Sequence, residues 1–586
     1  MFLKKMGIKN FRCIKDLTIN FNEGLNILIG ENNTGKSSII DALRLCFSIR
    51  KQWRNIYIHE SDFHIDKTDP TLPTGEIEFH LYFEIQRPEE AGIFVDLLSV
   101  DGSNQELQLH IKYTLDITKG ITSIKPTVWG GDNEGQHISY EIFELFYFIY
   151  LEPLRDAVKY LRPLRGSKLG ELFSKIETDK DKQDLIAKGV RESISNEKDL
   201  QDLIEKGQKE INKHLSKSTI DELREDVEIG LLPFDFRKIV ESLRIQMPIY
   251  DAKFLSSEIN QKYFELYQNG LGYNNLIYTA VVLGDLLERK EIISESYNSL
   301  LIEEPEAHLH PQVQNTFFSY MNDLNEKGIQ IFITSHSPTI TSKANLDSLI
   351  ILDKLDEKVT SFAIRDSDLS RDNKKYLQKF LDVTKAQLFF AKGVILVEGI
   401  SEALLLPVFS TILGRDYDLE KKGVEIVNIN GVAFEHFAKL YNSDDPSKRL
   451  NRNCVIITDG DHNAKDEISQ RAKNALSLEI DKSDGRLQVE IAYKTFEYEL
   501  FTAGNNKNIL LEIFGKMHSQ LINEVKKETN LEKQAILFVD KLKSNKTKSQ
   551  LAHTLALKLS EDATLQSNFT IPKYIVNAIE WVTKMN

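Results

Sequence analysis

The stretch LNILIGENNTGKSSIIDALRL at residues 25–45 predicts a strand, a glycine-rich loop and a helix in immediate succession. The apolar run from Leu25 to Ile29 is typical of a buried strand in a parallel sheet. It leads into Gly30-x-x-x-x-Gly35-Lys36-Ser37, after which an amphipathic pattern begins. A glycine-rich turn alone is a weak signal, but this strand–loop–helix context is the one that a phosphate-binding loop requires. The chain is therefore expected to have an α/β fold.

Each residue type in this loop has a role in holding a nucleotide. Glycines let backbone amides wrap the phosphates, the lysine reaches the β- and γ-phosphate oxygens, and the Ser37 hydroxyl joins a Mg²⁺ ion. The predicted nucleotide-binding residues of the loop are Gly30, Asn33, Gly35, Lys36, Ser37 and Ser38.

Two further strand ends complete the predicted nucleotide site. The run SLLIEEPE at 299–306 is a buried-strand pattern that ends in acids, and a second apolar strand ends in TSHS at 334–337. Glu303 is predicted to join the Mg²⁺ shell, Glu304 to polarise the attacking water, and His336 to sense the γ-phosphate.

Together with the opening IKNFR at residues 8–12, these motifs resemble the ATP-binding-cassette (ABC) heads of SMC, Rad50 and RecF-type proteins. One motif departs from that family. ABC heads carry a Ser-Gly-Gly signature that closes on ATP in the opposite subunit, whereas the corresponding place here keeps Gly270 and Gly272 without the serine. A helix N-terminus after Gly272 is still able to bind a phosphate. Whether ATP is hydrolysed, or only held between two heads, stays open.

A helical stretch at about 168–228 separates the two halves of the ATPase motifs. Leucine, isoleucine and valine recur there at near-helical spacing, among many charged residues. Gly189 and Gly207 interrupt it, so it is too short and too broken for a long coiled coil. A compact hairpin that serves in dimerisation and a set of helices packed on their own domain are both compatible with this pattern.

The back half contains two strand patterns that end abruptly in acid, GVILVEGISE at 393–402 and CVIITDGDHN at 454–463. The carboxyl ends of neighbouring parallel strands meet at one sheet edge, so Glu398, Asp459 and Asp461 are expected to converge. Carboxylates that converge repel one another unless a hard cation such as Mg²⁺ neutralises them. A metal held in this way suits phosphodiester chemistry. Glu402 lies one helical turn beyond Glu398, on the same face.

The Glu followed by Asp-x-Asp resembles a Toprim domain. An ABC-type head followed by such a domain resembles the OLD-family nucleases, and that resemblance implies two metals, with further acids and a lysine after the Asp-x-Asp strand. The candidates are Glu497, with Glu499 as its competitor, and Lys548, with Lys546 as its competitor. Glu398, Asp459 and Asp461 would share one ion, and Glu402 and Glu497 would help to hold the other. Lys548 would stabilise charge on the phosphate, although its lysine-rich surroundings are also compatible with a solvated helix face.

An ABC-type head followed by Toprim resembles the OLD-family nucleases, which include the nuclease subunit of the Gabija phage-defence system. The resemblance implies an ATP-regulated DNA endonuclease that uses Mg²⁺ or Mn²⁺ and serves in antiphage defence. It implies a homodimer or higher homo-oligomer, and a helicase, another defence protein or a retron RNA/DNA complex as a partner. An ATP-dependent DNA-binding sensor or scaffold, and a RecF-like repair ATPase, are the alternatives.

The resemblance also implies an order of domains. It consists of an ATPase N-terminal part (1–165), a helical insertion (166–235), an ATPase C-terminal part (236–345), a linker (346–390), a Toprim domain (391–505) and a helical part that completes the nuclease site (506–586).

Composition bounds the remaining possibilities. The chain has 586 residues and a formal net charge of −14, which counts against indiscriminate coating of nucleic acid but leaves room for a local basic groove. No apolar run reaches membrane-span length, and the first residues lack the apolar core of a signal peptide. Three widely separated cysteines exclude a CxxC zinc site. A cytoplasmic protein without membrane contact is expected.

Overall fold

The computed structural model divides the chain into two units. The first consists of Met1–Glu144, Glu303–Glu306 and Pro311–Asn586, and the second of Leu145–Ile302 and Ala307–His310. The structure describes residues 1–584 apart from 52–53, 67–72, 102–103, 119–120, 154–156, 165–166, 219–225, 231–234, 250–261, 308, 326, 356–357, 463–465 and 480–484. The domain boundary predicted at 165/166 lies outside the described residues.

An antiparallel sheet and the first nucleotide-binding strand make up the N-terminal part of the first unit. Its elements are β1 (Phe2–Phe11), β2 (Ile14–Asn20), β3 (Leu25–Gly30), α1 (Lys36–Phe47), β4 (Glu76–Glu84), α2 (Pro88–Ile93), β5 (Leu98–Asp101), β6 (Asn104–Thr118), β7 (Ile121–Gly130) and α3 (Tyr140–Leu145). The antiparallel sheet has the order β2-β1-β4-β6-β5, with β7 also paired to β6.

The second unit contains the helical insertion. Its elements are β8 (Phe146–Leu151), α4 (Ala157–Tyr160), α5 (Lys168–Ile176), α6 (Lys180–Ser195), α7 (Lys198–Ser218), α8 (Phe236–Glu241), β9 (Gln246–Pro248), β10 (Tyr263–Glu265), α9 (Leu271–Ile292) and β11 (Tyr297–Glu303). Strands β8 and β11 are parallel, and the buried Asp285 of α9 pairs with Lys175 of α5. Helix α6 buries only Ala187 and α7 buries no residue, so the helical prediction is confirmed but these two helices pack little on their own unit.

A mostly parallel sheet continues the first unit. Its remaining elements are α10 (Pro311–Asn325), β12 (Gln330–Ser335), α11 (Pro338–Lys343), β13 (Leu349–Leu355), β14 (Lys358–Ala363) and α12 (Arg371–Phe380). Both β12 and β13 run parallel to β3, and β14 is antiparallel to β13. This topology brings the carboxyl ends of β3 and β12 to one sheet edge, as α/β nucleotide sites require.

A four-stranded parallel sheet follows, with the order β16-β15-β17-β18. Its elements are β15 (Gly393–Val397), α13 (Ile400–Leu413), β16 (Val424–Asn428), α14 (Phe434–Ala438), β17 (Asn453–Asp459), α15 (Gln470–Leu476) and β18 (Leu487–Ala492). Every residue of β15 is buried, as expected for a central parallel strand.

Seven helices end the described chain and share one core with this sheet. They are α16 (Phe496–Thr502), α17 (Asn506–Met517), α18 (Ile522–Lys527), α19 (Leu531–Ser544), α20 (Lys548–Glu561), α21 (Ala563–Asn568) and α22 (Lys573–Thr583). The core runs from Ile395 in β15 to Val582 in α22, so sheet and helices fold as one body. The search for a helix long and apolar enough to cross a membrane found none within the described ranges.

Candidate active site

The first candidate site lies at the carboxyl edge of the four-stranded sheet. Val397 at the end of β15 pairs with Ile457 of β17, so the residues that follow on each strand are neighbours. Glu398 Oε1 accepts a hydrogen bond from the Thr458 hydroxyl and another from the Asp459 backbone N–H at 3.0 Å. The two acidic strand ends are thus held together by the β17 backbone itself.

Asp459 is oriented from the opposite side by the start of α16. Its Oδ1 accepts a hydrogen bond from the Phe496 N–H at 2.9 Å, which the pairing of Asp459 with Ala492 of β18 brings into reach. Burial first, and then the charges of Glu398, Glu497 and Glu402, raise the pKa of Asp459 to about 8. Both causes disfavour the charged form of this carboxyl group.

Glu402 and Glu497 bring two more carboxylates to the same place. Glu402 lies in the first turn of α13 and is 8% exposed, and Glu497 in the first turn of α16 is 4% exposed. Burial first, and then the charges of Glu497 and Glu398, raise the pKa of Glu402 to about 7. A helix supplies each of these acids, and a sheet edge supplies the other two.

Lys548 is a cation within this group. Its Nζ lies 2.7 Å from Glu497 Oε2. Burial alone would lower the pKa of Lys548, but Glu497, Asp459 and Glu402 outweigh it and raise the pKa. The competitor Lys546 is instead exposed, with a left-handed backbone (φ 55°).

Glu499, the competitor of Glu497, has a structural role. Its Oε1 accepts a hydrogen bond from the Tyr493 N–H at 3.1 Å. Of each competing pair, Glu497 and Lys548 are therefore the members that the structure places with Glu398 and Asp459.

Asp461 is placed differently from the sequence expectation. Its backbone is left-handed (φ 45°), and its Oδ2 lies 2.9 Å from Arg471 Nη2 in an exposed ion pair. Arg471 lies in α15, and it was not among the predicted site residues. The sequence indicates Arg471 only by its basic character and its position shortly after the Asp-x-Asp motif.

A second residue absent from the sequence prediction is Tyr574 of α22. Its hydroxyl is buried and makes no hydrogen bond, and its pKa is raised first by burial and then by Asp459 and Glu402. An unsatisfied hydroxyl next to carboxylates normally indicates a missing polar partner. No local motif marks this tyrosine, because its position depends on how α22 packs under the sheet.

The donor set fits a hard divalent cation. All four converging acids offer carboxylate oxygens, which Mg²⁺ and Mn²⁺ prefer. The pKa values of Asp459 and Glu402 are raised first by burial and then by the neighbouring acids, and a bound cation would oppose both effects. Within the described residues, no three His, Cys, Asp or Glu side chains already form a closed set of ligands. Side chains such as Glu398, now hydrogen-bonded to β17, would have to rotate toward a cation.

The second candidate site is the loop between β3 and α1. Gly30 has φ +151°, and a Cβ there would lie 2.4 Å from the Leu352 carbonyl oxygen. Gly35 has φ +91°, and Asn33 is also left-handed, with φ 62°. Backbone geometry of this kind favours glycine and asparagine and curls the loop around an anion.

Lys36 is folded back onto this loop. Its Nζ donates to the carbonyl oxygens of Gly30 at 2.9 Å and Glu31 at 2.6 Å. Burial lowers the pKa of Lys36 to about 8, against the opposing charges of Glu304, Glu306 and Glu31. A phosphate would replace the carbonyl oxygens as its partner.

Acids from the end of β11 complete this site. Ser37 Oγ donates to Glu303 Oε2 at 2.6 Å, so the two predicted Mg²⁺ ligands are already in contact. His336 Nε2 lies 3.9 Å from Glu304 Oε1. Ser38 is buried behind the loop in α1.

Glu306 is a further acid that the sequence prediction left out. Its Oε1 accepts from the Ser335 hydroxyl at 2.9 Å and from the His336 N–H at 2.7 Å, and burial raises its pKa. In the sequence, Glu306 could have been recognised as the third acid of the EEPE motif.

The signature-like residues lie in the second unit. Gly270 is the N-cap of α9 and Gly272 lies in its first turn, so the helix begins before Gly272 and not after it as the sequence predicted. No side chain caps this end, so its first amides are not satisfied by a cap.

Comparison with known proteins identifies two regions. Residues 1–341 match the family model described as AAA ATPase domain, and residues 389–461 match the Toprim domain of the overcoming lysogenization defect protein-like (OLD-like) type.

Three curated relatives align with most of the chain. An OLD nuclease of Thermus scotoductus is 24% identical over 74% of this chain and 78% of its own. Endonuclease GajA of Bacillus cereus is 23% identical over 100% of this chain and 99% of its own. The Old nuclease of Escherichia phage P2 is 24% identical over 84% of each chain. The predicted fold class, an ABC-type ATPase followed by Toprim and a helical C-terminal part, is confirmed.

Proposed function

Because the chain belongs to the AAA ATPase domain family and joins to it a Toprim domain of the OLD type, we propose that it is a DNA endonuclease under nucleotide control. One observation carries this proposal. Within the described residues, Glu398, Asp459, Glu402 and Glu497 gather at one sheet edge with a single cation among them, Lys548. Relatives named OLD nuclease and endonuclease GajA align with 74% and 100% of this chain.

Mg²⁺ or Mn²⁺, when bound, would neutralise the phosphate and activate the attacking water. Glu398, Asp459 and Asp461 would hold one ion and Glu402 and Glu497 a second, for which Asp461 must leave Arg471. Lys548 would donate to the phosphate oxygen that gains charge during cleavage. Before an ion binds, the Asp459 N–H of β17 holds the Glu398 carboxylate, which would then turn toward the ion.

ATP would be held by the β3–α1 loop, with Lys36 on its phosphates and Ser37 and Glu303 at its Mg²⁺. Glu304 and His336 lie on the same side and would position water and sense the γ-phosphate. A second copy of the chain would contribute Gly270 and Gly272 at the N-terminus of α9, so ATP would favour a homodimer.

Antiphage defence in the cytoplasm, with DNA as substrate, is the proposed setting. A helicase, another defence protein or a retron RNA/DNA complex is the proposed partner. These assignments rest on likeness to the OLD family, and the site chemistry is compatible with them.

A plasmid-cleavage series tests the function. Wild type and Glu398→Gln are compared in Mg²⁺ and in Mn²⁺, each with and without ATP. The glutamine keeps an oxygen for the Thr458 and Asp459 hydrogen bonds but removes the charge. Its matched control is Glu420→Gln, an exposed carboxylate of the same domain. Cleavage should be lost in Glu398→Gln and unchanged in Glu420→Gln.

The same series separates the proposal from a DNA-binding sensor or scaffold. If wild-type protein binds DNA but cuts it with neither metal, the scaffold is correct and the endonuclease is not. Equal cutting by wild type and Glu398→Gln would show that another site performs the reaction.

A further inference from the structure

A basic cavity lies at the edge of the four-stranded sheet opposite to the carboxylates. It has a volume of about 200 Å³ and lies in the first unit, between the end of β13 and the first residues of the Toprim strands. Val424 begins β16, Asn453 begins β17, and Arg486 directly precedes β18, and all three line it. Because all four strands are parallel, this amino edge and the acidic carboxyl edge are at opposite ends of the sheet.

The charge in this cavity is opposite to that of the chain. Among its described lining residues six are basic, namely Lys354, Lys392, Lys422, Arg452, Arg486 and Lys584. Two are acidic, Glu31 and Asp353, and Asp353 forms a bidentate ion pair with Arg452. Six cations and two acids therefore line this cavity, in a protein of net charge −14. Like charges that converge in a concavity repel each other, and an anion relieves that repulsion.

Two of these lysines are available to a ligand. Among the described residues, no carboxylate forms an ion pair with Lys422 or with Lys584. Lys392 is half exposed, and its Nζ is 4.0 Å from Glu31 Oε2, too far for a hydrogen bond.

Glu31 connects this cavity to the nucleotide-binding loop. Its side chain lines the cavity, and its carbonyl oxygen accepts from the Nζ of Lys36 at 2.6 Å. An anion that draws Lys392 away from Glu31 would change the charge next to the same loop that holds Lys36. The cavity thus touches the ATPase and the Toprim sheet at once.

We propose that this cavity is a second anion site, which binds a small phosphorylated ligand through a di- or triphosphate group. Lysine and arginine are the side chains that recognise phosphate oxygens. The volume suits a short phosphate chain, and a DNA duplex would be held at the opposite, metal-binding edge of the sheet. Occupation of the site is linked to the P-loop through Lys392 and Glu31.

Binding of inorganic tripolyphosphate to the full chain tests this inference. The measurement is calorimetric and uses a Lys36→Ala background, which removes the P-loop lysine. Lys392→Glu and Lys422→Glu, each added to that background, should weaken binding by about tenfold or more, since each reverses a charge in the cavity.

Lys421→Glu is the matched control. Lys421 is the exposed neighbour of Lys422, pairs with Asp418 at 2.9 Å and does not line the cavity, so affinity should stay within about twofold. Thermal unfolding of each variant shows whether it is folded.

Three outcomes would overturn the inference: no binding to the Lys36→Ala protein, equal weakening by Lys421→Glu, or displacement of tripolyphosphate by a short DNA duplex. The last would assign the cavity to the DNA backbone instead. None of these outcomes depends on cleavage, so the inference and the proposed nuclease can fail separately.

Discussion

Lys548 Nζ lies 2.7 Å from Glu497, and the charges of Asp459 and Glu402 also act on it. Acids that are half or fully buried keep their charge only when a cation compensates it. The same carboxylates therefore repel one another in the metal-free protein and attract a divalent ion. At the scale of single residues, the negative charge that attracts a metal ion also lowers the stability of the metal-free protein.

Replacing Lys548 by glutamine should lower the DNA cleavage rate by about 100-fold, since it removes the cation that would stabilise charge on the phosphate. The measurement is plasmid cleavage under saturating metal. Lys546→Gln is the matched control, because Lys546 is exposed two residues away on the same segment. If both variants cut at the wild-type rate, the lysine run is a solvated face.

Replacing Asp459 by asparagine should stabilise the metal-free protein at alkaline pH. The pKa of Asp459 is raised from 3.8 to about 8 in the folded chain. Between these values the unfolded chain has released a proton that the folded chain retains, so wild-type stability falls as pH rises and the loss is complete above about pH 8. Asparagine removes this loss and keeps the oxygen that accepts from Phe496.

Urea unfolding in the presence of a chelator, at about pH 6 and about pH 9, checks this prediction. The free energy of unfolding of Asp459→Asn should exceed that of wild type by on the order of 2 kcal/mol at the higher pH and by less at the lower pH. Asp416→Asn, an exposed site of the same domain, serves as control and should shift neither value. A gain that shrinks toward alkaline pH would contradict the assigned direction.

At the scale of elements, the end of β17 is packed against β18 without room for a side chain. A Cβ at Gly460 would lie 2.3 Å from the Ala492 carbonyl oxygen, which also accepts the Gly460 N–H at 2.9 Å. This close approach fixes the end of β17, which carries Asp459, against the end of β18, which leads to α16. The position between the two aspartates therefore requires glycine for packing as well as for the turn.

Gly460→Ala should destabilise the protein by about 2 kcal/mol or more, because backbone atoms, not a flexible side chain, must move. It should also lower cleavage, since Asp459 is displaced. Gly189→Ala in α6 is the control: nothing lies within 4 Å of a Cβ there, so a helix-stabilising gain of about 0.5–1 kcal/mol is expected. Chemical unfolding measures both, and equal stability of the two variants would contradict the packing account.

At the scale of the whole molecule, a buried arginine joins the nucleotide-binding sheet to the Toprim sheet within the first unit. Arg452 directly precedes β17, and its Nε and Nη2 lie 2.7 and 2.9 Å from Asp353 at the end of β13. Its Nη1 donates to the carbonyl oxygens of Phe389 and Ala391 at 2.8 and 2.7 Å. We expect a change at the nucleotide loop to reach the Toprim sheet through these contacts.

Arg452→Met should cost about 3–5 kcal/mol of unfolding free energy, since it leaves Asp353 without its partner. It should also reduce the effect of ATP on cleavage. Lys448→Met removes an exposed pair with Asp368 (3.3 Å) and should cost less than about 1 kcal/mol. Urea unfolding and cleavage with and without ATP distinguish them, and an unchanged ATP effect in Arg452→Met would exclude this route.

The sequence by itself determined the motifs that depend on neighbouring residues. The loop from Gly30 to Ser37 and the acidic strand ends at Glu398 and Asp459 are visible there, because strand burial and turn chemistry repeat over a few residues. The family and the order of ATPase and Toprim followed from the same motifs and are confirmed.

Only the tertiary structure separated Glu497 from Glu499 and Lys548 from Lys546, since each choice depends on how α16 and α20 are rotated against the sheet. It also paired Asp461 with Arg471, and it brought Arg452 to Asp353. It formed the basic cavity from residues hundreds of positions apart. Such contacts depend on long-range packing, which no short pattern of residues specifies.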